Sequence, residues 1–74
     1  MKRTTIEKII KAVNAECKEN SKKWILLLLD NCASVYCNKL VMLDNNSMVF
    51  YYQDGVAIGG VTFRHISSIT LHTL

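Results

Sequence analysis

Residues 48–63, MVFYYQDGVAIGGVTF, decide the fold class, because they read as two strands joined by a tight turn. Met48–Gln53 and Val56–Phe63 are rich in the aromatic and β-branched residues that favour strands. Asp54 and Gly55 between them form the dipeptide typical of a two-residue type I′ hairpin. Paired glycines at 59–60 predict a kink or a close backbone approach within the second strand. This stretch therefore predicts an antiparallel β-hairpin.

Further strands are predicted on both sides of the hairpin. Trp24–Leu29 is a continuous apolar run, which predicts a strand buried on both sides or nearly so, and six residues are too few to cross a bilayer. Ser34–Leu43 is long and mixed, with Asn38 and Lys39 in its middle, and this predicts a bend that changes the buried face. The polar run 44–47 predicts a turn, and Ile66–Leu71 alternates as a last strand.

The first part of the chain predicts one amphipathic helix over residues 4–20. Apolar side chains recur at helical spacing on one face, at Ile6, Ile9, Ile10, Val13 and Cys17. Thr4 and Glu7 match the capping-box pattern, in which the threonine is the N-cap and the glutamate bonds its backbone N–H.

The length and composition predict a single small domain spanning residues 1–74. The chain has 74 residues, of which 50% are apolar and 20% charged, so it is not intrinsically disordered. Five short strands cannot form a flat sheet without exposing an apolar face. We therefore expect a mostly β fold, with a helix over about 4–20 and a five-stranded, strongly bent antiparallel small barrel over about 24–72. The apolar excess indicates self-association.

Positive charge is concentrated in the N-terminal segment. Residues 1–23 hold seven Lys or Arg and three Glu, a net charge of +4, whereas residues 24–74 have a net charge of −1. Such a field suits RNA, DNA or an acidic protein surface, although a solvated helix face gives the same pattern. The lysines of this basic helix surface are Lys8, Lys11 and Lys18.

Neither metal chemistry nor catalysis is indicated. Cys32 and Cys37 are five apart, and His65 and His72 are seven apart, so each pair would point to opposite faces of a strand. The sequence has no phosphate-binding glycine loop and no G-x-S-x-G or H-E-x-x-H motif. We expect no cofactor, no metal and no enzyme activity. The odd number of cysteines and the lack of a hydrophobic leader predict free thiols in a reducing cytoplasm.

Three stretches resemble the Sm/LSm family, particularly its bacterial Hfq members. The first is the apolar strand and turn ILLLLDN at 25–31, and the second is LDNNSMVF at 43–50, which resembles the family's first signature. The third is FRHISSI at 63–69, which resembles the aromatic, basic and His run of the second signature. The pattern departs from the family at Asn38, where a glycine is usual, and at Met48, where many Sm proteins have Asn.

The resemblance implies a homo-oligomeric ring that binds single-stranded RNA at its inner loops. Carried over by position, the implied RNA-binding residues are Arg64 and His65, with Asn45 and Asn46 as weaker candidates. An alternative of a different class remains open. A short, apolar-rich chain without motifs also fits a small protein-binding module, such as a phage or mobile-element inhibitor that binds no RNA.

Overall fold

One helix precedes six short strands in the computed structural model, which describes residues 2–43 and 47–73. Two three-stranded antiparallel sheets follow the helix, with strand orders β2-β1-β6 and β3-β4-β5. The elements are α1 (Arg3–Glu19), β1 (Lys23–Leu29), β2 (Ser34–Cys37), β3 (Lys39–Met42), β4 (Met48–Gln53), β5 (Val56–Thr62), the 3₁₀ turn η1 (Phe63–His65) and β6 (Ile66–Thr73).

The predicted helix is confirmed, and its apolar face covers both sheets. Ile6, Ile10 and Val13 are buried, whereas Ile9 and Cys17 are partly buried against the same core. The predicted N-cap at Thr4 is wrong. The helix starts one residue earlier, with Lys2 as N-cap and no side-chain capping bond. Glu7 instead accepts a 3.1 Å bond from Arg3 one turn before it, so its carboxylate is used along the helix surface.

β1 is the central strand of the first sheet, pairing with β2 on one side and β6 on the other. Ile25 and Leu27 are completely buried, but Leu28 is exposed. The prediction that this strand is buried on both sides or nearly so therefore holds for one face and is wrong at Leu28, while Trp24 and Leu26 on the same side as Leu28 are half-buried. Because successive side chains of a strand point to opposite faces, only one face of β1 meets the core, and the unbroken apolar sequence conceals that alternation.

The predicted bend in the second strand is confirmed at Asn38. β2 ends at Cys37 and β3 begins at Lys39, and the two halves belong to different sheets. Asn38 is held there by Asp54, since its amide donates to the Asp54 carboxylate at 3.0 Å and accepts the Asp54 backbone N–H at 3.1 Å. This reciprocal pair ties the bend to the β4–β5 turn.

The β4–β5 hairpin has the turn that its sequence predicts. Asp54 and Gly55 both have positive φ, at 51° and 84°, as a type I′ turn requires. Of the kink or close backbone approach expected at the paired glycines, the structure shows an irregularity, since the β4–β5 register shifts between Tyr51 and Tyr52. The close contact is made by a side chain. A Cβ added to Gly59 would lie 2.5–2.9 Å from three atoms of the Tyr51 side chain, so the Tyr51 ring covers this glycine.

The helix is joined to β3 by the side chain of Asn14. Its amide donates to the Leu40 carbonyl at 2.7 Å, and its oxygen accepts the Leu40 N–H at 2.9 Å. These are the two backbone groups that a neighbouring strand would otherwise bond. A single side chain thus satisfies part of the β3 backbone and fixes α1 against the second sheet.

The structure agrees with the expected fold class but not with the expected five-stranded small barrel. The protein is mostly β with one N-terminal helix, but in the part of the chain that the structure describes the strands form two three-stranded sheets and no closed barrel. Within residues 2–43 and 47–73, β5 and β6 share no ladder and each has one paired edge. The bend at Asn38 divides what the sequence shows as one strand, which accounts for the sixth strand.

Candidate nucleic-acid interface

Arg64 and His65 lie together on η1, the short turn that joins β5 directly to β6. Phe63 at the start of this turn packs against the core, and its backbone N–H donates to the Ser47 carbonyl at 2.8 Å. Arg64 and His65 are both exposed. The apolar residue therefore anchors the turn, and the two polar residues that follow are presented to solvent.

A second contact fixes His65 to Asp30, the first residue of the β1–β2 turn. The Asp30 backbone N–H donates to the His65 carbonyl at 2.9 Å. The side chains also meet, with His65 Nδ1 2.9 Å from Asp30 Oδ2. The two side chains are 54% and 56% exposed, so solvent reaches the rest of the imidazole ring. Asp30 is a site residue that sequence reasoning missed, although its position directly after an apolar strand marks it as a turn residue.

Arg64 has no hydrogen bond or ion pair to any residue in the described ranges, so its guanidinium is available to a ligand. A guanidinium is always charged and offers planar, paired donors suited to phosphate groups and base edges. The other predicted RNA-binding residues, Asn45 and Asn46, lie outside the described residues. Ser47, which follows them, is in contact with η1 through its carbonyl.

The predicted basic helix surface is only partly a single site. Two adjoining open depressions of about 400 and 470 Å³ lie between α1 and the second sheet, and both are lined by Asn14 and Lys39. Lys11 lines the first depression and Lys18 the second, but Lys8 lines neither. Lys39 joins this groove from β3, where sequence reasoning assigned it no role, and its ammonium lies 5.9 Å from the Tyr52 ring centre.

Other basic residues of the N-terminal segment have structural partners. Lys23 forms an ion pair with Glu16, and the hydrogen bond and charge of that carboxylate raise the pKa of the Lys23 ammonium. Arg3 pairs with Glu7 and also donates to the Leu43 carbonyl at 3.0 Å. Of the basic residues named here, Arg3 and Lys23 are therefore in surface pairs, Lys11 and Lys18 line the groove, and Lys8 does neither within the described residues.

The three cysteines are free thiols in different surroundings. Cys37 is buried, Cys17 is half-buried and Cys32 is exposed. The pKa of the Cys37 thiol is raised to about 11, chiefly by burial and in smaller part by the nearby Cys17. Burial also raises the pKa of Cys17. In the part of the chain that the structure describes, no three His, Cys, Asp or Glu side chains are grouped as a metal site would need.

No helix among the described residues is both long enough and apolar enough to span a lipid bilayer. The chain matches no protein-family model, and neither the curated proteins nor the solved structures contain a match to it.

Proposed function

We propose that the protein is a cytoplasmic, ring-forming binder of single-stranded RNA of the Sm-like type. The observation that supports this most is the position of Arg64 and His65, which are exposed on a turn between two strands that each have an edge unpaired by any described residue. If β2 and β3 are taken as one strand bent at Asn38, a helix and five strands follow the order that the resemblance implies. Three free thiols suit a reducing compartment.

The two edge strands have the character of surfaces that pair with another chain. β5 reads VAIGGVT and β6 reads ISSITLHT, and neither contains Lys, Arg, Asp, Glu or Pro. Strands that avoid pairing usually carry a charge or a proline at such an edge. Val56 and Ile58 on β5 are 64% and 43% exposed, and Leu71 on β6 is also exposed. Pairing β5 of one copy with β6 of the next would cover these side chains.

Such pairing uses two different edges, so it is head-to-tail and closes into a ring when the rotation allows. Because η1 connects β5 to β6 without a loop, every junction between copies adjoins an η1 turn. Arg64 and His65 are then repeated around one axis. One flexible RNA chain could then contact several copies at once, and the repeated weak contacts would raise its overall affinity. This favours an extended, unpaired RNA as the ligand.

The assembly is tested by size-exclusion chromatography with light scattering. We expect about five to seven copies of the 8.4 kDa chain per particle. Ile58→Lys introduces a charge on the β5 edge and should give a folded monomer. The matched control is Ala12→Lys, which adds the same charge on the exposed side of α1 and should leave the particle intact. A wild-type monomer at tens of micromolar would refute the ring.

RNA binding is tested by fluorescence anisotropy with labelled oligo(U) and oligo(A) over a range of salt concentrations. Arg64→Ala and His65→Ala should each weaken one RNA at least about tenfold, the equivalent of about 1.4 kcal/mol. The paired variant Lys11→Ala, Lys18→Ala should weaken both RNAs evenly and flatten the salt dependence. If the wild type binds neither RNA at about 50 mM salt and co-purifies with one protein, the protein-binding alternative replaces this proposal.

A further inference from the structure

The Asp30–His65 contact determines which group of the imidazole faces a ligand. An ionised carboxylate has acceptors only, so a hydrogen bond from Nδ1 to Asp30 Oδ2 requires a proton on Nδ1. A neutral ring with its proton on Nδ1 has a lone pair on Nε2. In the described residues the only hydrogen bond of the His65 ring is the one to Asp30. Nε2 is therefore left as an acceptor that no described group uses.

The backbone that carries the ring is held independently of that side-chain bond. The Asp30 N–H to His65 carbonyl bond holds the two backbones together, and Phe63 anchors the same turn to Ser47. Two charged residues adjoin His65: Asp30 bonds Nδ1 from the β1–β2 turn, and Arg64 is the preceding residue of η1. Asp30 thus provides the acceptor for Nδ1, and Arg64 adds exposed donors on the same short turn.

We propose that Asp30 is a positioning residue that holds His65 in the Nδ1–H tautomer, so that Nε2 accepts a hydrogen bond from a donor group of the RNA. This rests on the proposed RNA-binding function. The donor is a base N–H or a ribose 2′-hydroxyl, which present the same chemistry to a lone pair. Arg64 supplies the complementary donors for a neighbouring carbonyl or phosphate oxygen. His65 and Arg64 together therefore select a nucleotide that offers a hydrogen-bond donor to His65 and an acceptor to Arg64.

The tautomer is measured on the free protein, before any RNA is added. Long-range ¹H–¹⁵N correlation spectra of ¹⁵N-labelled protein, at a pH where the ring is neutral, distinguish a protonated from an unprotonated ring nitrogen. We expect Nδ1 protonated and Nε2 unprotonated in His65, with the two histidines assigned from a His72→Gln variant. In Asp30→Ala the proton should move largely to Nε2. Asn31→Ala is the matched control, since it alters the same turn without touching His65.

Three oligonucleotides then identify the donor. Uridine is the cleanest probe because its base has one N–H, at N3. If N3–H is the donor, oligo(U) and oligo(dU) bind with similar affinity and N3-methylated oligo(U) binds weakly. If the 2′-hydroxyl is the donor, oligo(dU) binds weakly and N3-methylated oligo(U) binds like oligo(U). Asp30→Ala should lower the affinity for oligo(U) by about three- to tenfold, and Asn31→Ala should not.

The experiments distinguish a failure of the proposed Asp30 role from a failure of the proposed RNA binding. If His65 in the wild type has its proton on Nε2, the proposed role of Asp30 is overturned, regardless of the measured RNA affinity. An unchanged RNA affinity in Asp30→Ala, or equal binding of all three oligonucleotides, also overturns it and leaves RNA binding standing. A wild type with the expected tautomer and no affinity for any oligonucleotide overturns the proposed function, and the RNA donor with it.

Discussion

Asn14→Ala should destabilise the protein more than any other single change on the polar side of α1. The substitution removes two hydrogen bonds, at 2.7 and 2.9 Å, and leaves the Leu40 N–H and carbonyl without that partner. Losing a partner at a part-buried backbone group costs about 1–3 kcal/mol per group, and water entering the open groove reduces this cost. The higher helix propensity of alanine stabilises the folded state by about 0.5 kcal/mol and offsets part of this loss. We therefore expect a net loss of about 2–3 kcal/mol.

Urea denaturation followed by circular dichroism measures this loss as a change in the midpoint at constant slope. Lys11→Ala is the control, because it lies on the same side of the helix and makes no hydrogen bond within the described residues. It should change the free energy of unfolding by less than about 0.5 kcal/mol. Asn14→Asp should be at least as damaging as Asn14→Ala, since a carboxylate cannot donate to the Leu40 carbonyl and would set a charged oxygen against that carbonyl oxygen in a part-buried site. An Asn14→Ala loss no larger than that of Lys11→Ala would refute the reasoning.

Three further predictions concern the core and the hairpin. Ile10→Ala should cost about 2–4 kcal/mol in urea denaturation, because Ile10 is buried between the helix and the sheets, and a cost under about 0.5 kcal/mol would contradict this. Gly59→Ala should cost about 1–3 kcal/mol because the added methyl meets the Tyr51 ring, and the cost should shrink in a Tyr51→Ala background; an equal cost in both backgrounds would rule out that contact. The raised pKa of Cys37 means that the folded state holds the thiol proton more tightly than the unfolded state, so stability is retained below pH 9 and falls as pH rises towards 11. The difference in unfolding free energy between the wild type and Cys37→Ala should therefore narrow between about pH 8 and pH 10.5.

Local patterns in the sequence predict much of this fold correctly. The apolar spacing of Ile6, Ile10 and Val13 identifies the buried face of α1, and Asp54-Gly55 identifies the hairpin turn. The bend at Asn38 is also predictable, because a polar residue interrupts a strand that cannot keep one face buried along its length. Each of these features depends on residues close together in the chain.

Features that depend on distant polar pairs leave no such pattern. The Asn14 bonds to Leu40 span 26 residues, and the contact between Asp30 and His65 spans 35. An asparagine in a helix and an aspartate in a turn are common, and the sequence does not indicate which distant residue each of them contacts in the fold. The wrong N-cap at Thr4 has a local origin instead, since the glutamate of the expected capping box pairs with an arginine one turn before it.

The pairing of β1 with β6 has a consequence for synthesis of the chain on the ribosome. β1 reaches Leu29 long before Ile66 opens β6, its neighbour in the finished sheet. At about 5–20 residues per second, translation of the intervening segment takes some seconds. During that interval the apolar residues 24–29 lack one of their two strands. The helix emerges before them and contacts β1 in the folded protein, so it is available as a temporary cover. A helix that was slow to form would leave this run open to other nascent chains or to chaperones.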